Sequence, residues 1–84
     1  MFYVYVLKST KDDTLYIGST NDLRRRLAEH NAGKARSTAP RRPLTLRYYG
    51  AYAKESDARR RESMLKKDGR ALAVLKTRLA TSLQ

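Results

Sequence analysis

The sequence predicts an α+β fold: a small three-stranded, antiparallel-containing sheet flanked by helices, in the order ββαβαα. Three observations carry this. Segments rich in β-branched and aromatic residues alternate with segments whose leucines recur at helical spacing. Both prolines, Gly33 and Gly69 fall between those segments. The chain of 84 residues is short enough to be read as one domain spanning 1–84.

Phe2-Tyr3-Val4-Tyr5-Val6-Leu7 has strand composition, Lys8 to Asp13 is polar, and Thr14-Leu15-Tyr16-Ile17-Gly18 returns to strand composition, which predicts a β-hairpin. Asn21-Asp22 then offers a capping side chain, Leu23 and Leu27 lie at i,i+4, and Asn31-Ala32-Gly33 ends a short first helix. Lys34 to Pro43 has two prolines, four basic residues and no periodicity, and is read as an exposed basic loop. Leu44 to Tyr52 is a third strand. Ser56 is expected to cap a second helix running to about Lys67, where Asp68-Gly69 breaks it. From Arg70 onward Leu72, Leu75 and Leu79 mark a third, amphipathic helix.

Charge narrows the function. Nineteen Lys and Arg against eight Asp and Glu give a formal net charge of +11, a field that attracts phosphate polyanions. Nucleic acid is the expected partner, DNA before RNA. Cysteine is absent and histidine occurs once, so disulfides, thiolate metal sites and imidazole-built zinc sites are excluded, and any metal must be held by oxygen. Phe2 to Leu7 is too short to span a membrane and lacks the basic leader of a signal peptide, so a cytoplasmic location without membrane partners is expected. Composition specifies neither a protein partner nor an oligomeric state.

Strand alternation places Tyr3 and Tyr5 on one side of the first strand, and Tyr16 and Gly18 on one side of the second. With an even hairpin loop these sets share a face, where the phenols either pack or form a reactive cluster. In the run Arg24-Arg25-Arg26, the first two are read as a solvated, phosphate-attracting face. Arg26 lies four residues before His30 on the margin of the leucine stripe, suited to bidentate phosphate contact. His30 itself could orient water or pass a proton, but a positively charged partner for the helix C-terminus is the favoured reading on sequence alone. Glu62, four after Ala58 and three before Leu65, falls on the inward stripe of the second helix, so it requires a cation: Arg59, Arg61 or Mg²⁺.

In this combination the sequence resembles the GIY-YIG nuclease superfamily, within it the small stand-alone bacterial proteins of the UPF0213 type. The markers are Val4-Tyr5-Val6 in place of the GIY triplet, an intact Tyr16-Ile17-Gly18, the run Asn21 to Leu27 followed by His30, and Arg61-Glu62, together covering Phe2 to about Lys67. Val4, where the motif name has glycine, is read as a backbone-level variation. The resemblance implies that Tyr5 or Tyr16 acts as general base or positions the attacking water, Arg26 stabilises the scissile phosphate, and His30 assists proton transfer. It also implies that Glu62 holds a single, weakly bound divalent cation, Mg²⁺ or Mn²⁺.

The expected activity is that of a divalent-metal-dependent endonuclease on DNA, directed to structure or damage, as in DNA repair, with little sequence preference. Arg24, Arg25, Lys34, Arg36, Arg41 and Arg42 would supply backbone contacts. The alternatives are a non-catalytic nucleic-acid-binding module that retains the fold, and an RNA- or ribosome-associated protein whose tyrosines stack bases.

Overall fold

A computed structural model of the chain describes residues 1–67. Strand β1 (Phe2–Ser9) and strand β2 (Leu15–Thr20) form the hairpin, helix α1 (Leu23–Asn31) follows, strand β3 (Leu44–Tyr52) comes next, and helix α2 (Glu55–Lys67) completes the described part. The Asp68-Gly69 break and the third helix expected from Arg70 lie outside the described residues.

The hairpin and third strand form one antiparallel sheet in the order β2-β1-β3. Tyr5 sits between Gly18 on one side and Tyr49 on the other, and Leu7 between Tyr16 and Leu46. Tyr3, Tyr5, Tyr16 and Gly18 therefore share a face, as the even-loop condition requires. The β1–β3 register shifts between Val6, which pairs with Tyr48, and Leu7, which pairs with Leu46. Arg47 is thus the extra residue of a β-bulge, a local irregularity that composition could not signal.

The strand period of two builds a different core on each face. Against α2, Val4, Val6 and Ile17 meet Ala58 and Leu65, with Phe2, Leu15, Tyr48 and Tyr52 around them. Against α1, buried Tyr5, Leu7 and Leu44 meet Leu23, Leu27, Tyr16 and Leu46.

Local chemistry sets the ends of α1. The Asp22 carboxylate accepts from the Arg25 backbone N–H at 3.1 Å, and Gly33 takes the left-handed φ of 81° just past the helix. The helix then crosses the sheet diagonally. It starts just after Thr20, which pairs with Tyr3, and ends at Asn31, whose side-chain amide donates to the Leu44 carbonyl at 3.0 Å and accepts from its N–H at 2.8 Å. Leu44 pairs with Ser9 at the opposite end of β1, so two corners of this face lie outside the helix's path.

Two expectations change. Ser56 does not cap α2, because Glu55 already opens it; Ser56 lies within a first turn where Glu55 and Asp57 oppose the helix dipole. The segment Lys34 to Pro43 is not uniformly exposed. Ala35 and Thr38 are buried, a 3₁₀ turn spans Ala39–Arg41, and the Ser9 hydroxyl ties the loop down by donating to the Arg41 carbonyl at 2.7 Å. Its small residues allow this close approach, while its basic side chains stay outside.

Candidate active site

The corner beside β2 collects four of the five residues singled out for chemistry. Tyr5 comes from β1, Tyr16 from β2, and Arg26 and His30 from successive turns of α1. The Tyr5 and His30 ring centroids are 5.7 Å apart, and those of Tyr16 and His30 are 5.0 Å apart, both edge to face.

Gly18 makes this arrangement sterically possible. A Cβ there would lie 2.5 Å from the Tyr5 hydroxyl oxygen, 2.6 Å from its Cζ and 3.0 Å from Cε1 of Tyr16. The Tyr5 phenol therefore crosses the bare backbone of its β2 partner, with its hydroxyl 2.9 Å from Nε2 of His30.

His30 is fully buried and is not a charged partner of the helix end. Burial pushes its imidazole below the usual range, the Arg26 charge adds to that, and Glu29 opposes it. Its second nitrogen, Nδ1, lies 2.7 Å from the buried Thr38 hydroxyl, which in turn donates to the Ala35 carbonyl at 3.5 Å. Since that hydroxyl has a single proton, Nδ1–H donates to Thr38 and Nε2 accepts from Tyr5. The chain of donors thus runs from Tyr5 to His30 to Thr38 to the backbone.

Burial raises the Tyr5 phenol above its ordinary value; the nearby Arg26 guanidinium opposes this, while Tyr16 and Glu62 add to it. Tyr5 and Glu29 hold Arg26 firmly charged against the effect of partial burial. Arg26 bonds Glu29 at 3.2 Å and remains partly open to solvent.

Glu62 does not lie among these four. It projects from α2, on the other face, to the β2 edge, where its Oε1 accepts from the Ser19 hydroxyl at 2.7 Å and its Oε2 from Nζ of Lys66 at 2.8 Å. Its cation is therefore Lys66, one turn on, rather than Arg59 or Arg61. Arg59 bonds Glu55 instead, at 3.5 Å. The Glu62 side chain is 20% exposed rather than enclosed in the core. Desolvation pushes its carboxyl up, but the hydrogen bonds from Lys66 and Ser19 and the charges of Lys66 and Arg59 outweigh that and hold it below the usual carboxylate range.

Among the described residues no group of three or more His, Cys, Asp or Glu could enclose a metal ion. The donor that is present suits a hard cation. Glu62 is ionised, oriented through one oxygen by Ser19 and partly open, and Mg²⁺ commonly needs only one or two carboxylates beside water and phosphate oxygens. The competing Lys66 ammonium sits on a flexible, half-exposed side chain.

Arg24, Arg25, Lys34, Arg36, Arg41 and Arg42 are all exposed, on α1 and on the loop that carries Thr38. Sequence reasoning missed Thr38, Ser19 and Lys66. Only Lys66 had a local signal, its i,i+4 spacing from Glu62. Gly18 stood in a recognised motif without an assigned task.

The family model described as the GIY-YIG catalytic domain matches residues 1–76. A UPF0213 protein of Halobacterium salinarum is 46% identical over 72 residues, covering 84% of this chain and 92% of its own length. One from Staphylococcus haemolyticus is 46% identical over 65 residues, covering 76% of this chain and 78% of its own. The solution NMR structure of a UPF0213 protein from Bacillus halodurans aligns with a TM-score of 0.53 at 35% identity, covering 100% of this chain and 86% of that one.

Proposed function

Because the chain belongs to the GIY-YIG family, a nuclease superfamily, we propose that it is a divalent-metal-dependent endonuclease that hydrolyses phosphodiester bonds in DNA at structural or damaged sites. One observation carries the reading: Tyr5, Tyr16, Arg26 and His30 converge on one corner of the sheet.

The chemistry follows from the donor chain. Tyr5 is a poor base alone, since burial opposes its ionisation. It becomes competent by passing its own proton to His30 Nε2 as it takes one from water, so no free phenolate is needed. The water oxygen then bonds to phosphorus, the bond to the leaving oxygen breaks, the leaving oxygen takes up a proton from solvent water, and His30 returns its proton to solvent to reset the chain. Arg26, charged and partly open, is placed to balance the charge developing on the phosphoryl oxygens. The same phosphate charge offsets the repulsion between Arg26 and a protonated His30. Glu62 would hold the cation, which when bound supplies charge neutralisation to the phosphate oxygens. The exposed arginines and lysines on α1 and the Thr38 loop form a basic rim that grips backbone phosphates without reading sequence. Among the described residues no helix is long and apolar enough to cross a membrane.

The test is a cleavage assay on nicked, branched, supercoiled and single-stranded DNA with Mg²⁺ or Mn²⁺, beside Arg26→Ala and Glu62→Ala. Metal-dependent cutting that falls by about a hundredfold or more in both variants is expected. Absence of metal-dependent cutting across the panel, with salt-sensitive binding intact in all three proteins, would replace the nuclease with a binding module.

A further inference from the structure

The second corner left by the diagonal of α1, beside β3, holds a groove of about 490 Å³ that the chemistry above does not use. We propose that this groove binds an unpaired nucleobase of the substrate strand, so that the preferred DNA carries a single-stranded element next to the cleaved bond. This rests on the nuclease reading and names the substrate class of that site.

Aromatic geometry is the first argument. Tyr3 and Tyr49 line the groove with Leu23 and Leu46. The two tyrosine rings meet edge to face, with centroids 6.3 Å apart and planes at 61°. An edge-to-face pair leaves ring surface uncovered, and Tyr49, on the edge strand β3, is 54% exposed. A groove with Leu23, Leu27 and Leu46 in its wall beside an open phenol ring suits the π-face of a base. A base within a duplex stack does not present that face, so the occupant is an unstacked one.

Charge complementarity is the second argument. Arg24 stands at the groove and forms no ion pair among the described residues, leaving its guanidinium for a phosphate. The one acid at the rim, Asp22, already holds the Arg25 backbone N–H at 3.1 Å. Asn21 adds a side-chain amide that can meet a base edge. A formal charge of +11 favours a polyanion over a neutral aromatic peptide as the occupant.

Position is the third. Tyr3 precedes Tyr5 by two residues on the same face of β1, a step of roughly 7 Å along the strand. A strand whose phosphate lies at Tyr5 and Arg26 and which runs across the N-terminal half of α1 would carry a neighbouring base toward Tyr49.

The experiment measures binding by fluorescence anisotropy at matched salt for three probes: a twelve-residue oligothymidylate, the same strand carrying abasic sites in place of its bases, and a fully paired duplex. Wild type is compared with Tyr49→Ala and Tyr49→Phe. Loss of about tenfold in affinity for oligothymidylate in Tyr49→Ala, at least fivefold greater than its loss on the abasic strand or the duplex, and restored in Tyr49→Phe, is the expected result. Equal losses on all three probes, or none, would overturn the base site. Amide chemical shifts of the free protein showing the groove filled by the chain's own residues beyond Lys67 would overturn it as well. A wild type that cuts nothing yet shows the Tyr49-dependent preference would retain the base site and lose the nuclease. Cutting with no such preference would do the reverse.

Discussion

The two faces of the sheet are made from the same strands by opposite means. Val4 and Val6 of β1 point to α2 and pack into an apolar cluster, while Tyr5 and Leu7, one step along, point to α1, where Tyr5 joins a network with His30 and Thr38. The α2 face needs only close packing, since apolar burial is non-directional. The α1 face buries polar groups, so each must find a partner in the right direction or cost free energy. The difference teaches that one face holds the sheet rigid while the other holds protons and charges in place. Glu62 shows where the two meet: it belongs to the helix of the apolar face and reaches the β2 edge, where the Ser19 hydroxyl donates to it.

This comparison can be broken first by Leu65→Ala. Removing that buried side chain should cost about 2–5 kcal/mol, read from urea denaturation, while cleavage per folded molecule stays within about twofold. A loss of turnover in the folded fraction would mean the faces are not separable.

Tyr5→Phe makes the opposite demand. It keeps the ring that packs on Leu7 but leaves His30 Nε2 without its donor, so a smaller stability cost of about 1–3 kcal/mol is expected, with cleavage reduced by about a hundredfold or more. Full cleavage by this variant would shift the base role to Tyr16.

Thr38→Val is nearly isosteric and removes the oxygen that Nδ1–H of His30 bonds. A cost of about 1–2 kcal/mol is expected, together with a change in the ¹⁵N shifts of the His30 ring as the tautomers equilibrate. A purely packing role for Thr38 would leave those shifts alone.

Between pH 7.5 and pH 5, acidification should act first through His30 on the polar face. His30 lies below the ordinary imidazole value of about 6.5, so between its folded and unfolded values the unfolded chain binds the extra proton. Its contribution is complete above about pH 6.5 and is lost as pH falls through the folded value. Glu62, also lowered, follows below about pH 4.3. Urea midpoints should therefore drop from pH 7.5 to pH 5 in wild type and less in His30→Gln; an equal drop in both would assign the effect elsewhere.

Much of this was readable before any coordinates. Strand alternation, the Asp22 cap and the Gly33 stop depend on neighbours a few residues apart, so β1, β2, β3 and α1 fall close to where periodicity places them. The grouping of Tyr5 with Tyr16 was readable too, because hairpin parity alone sets it. The burial of His30 was not, since the dipole reading uses only its place on α1 and takes no account of the loop that closes over it.

By itself the sequence determined the α+β class, the order of elements through α2 and the strongly basic composition, because each is written in local period or in composition. Tertiary structure alone decided that His30 is a neutral link between Tyr5 and Thr38, that Ser19 holds Glu62, that Gly18 makes room for the Tyr5 phenol, and that a second aromatic corner stands open. The reason is physical: those contacts depend on sheet register, on the path of α1 across the sheet and on the backing of one loop. A one-residue slip or a different crossing would regroup the same side chains without changing any local pattern.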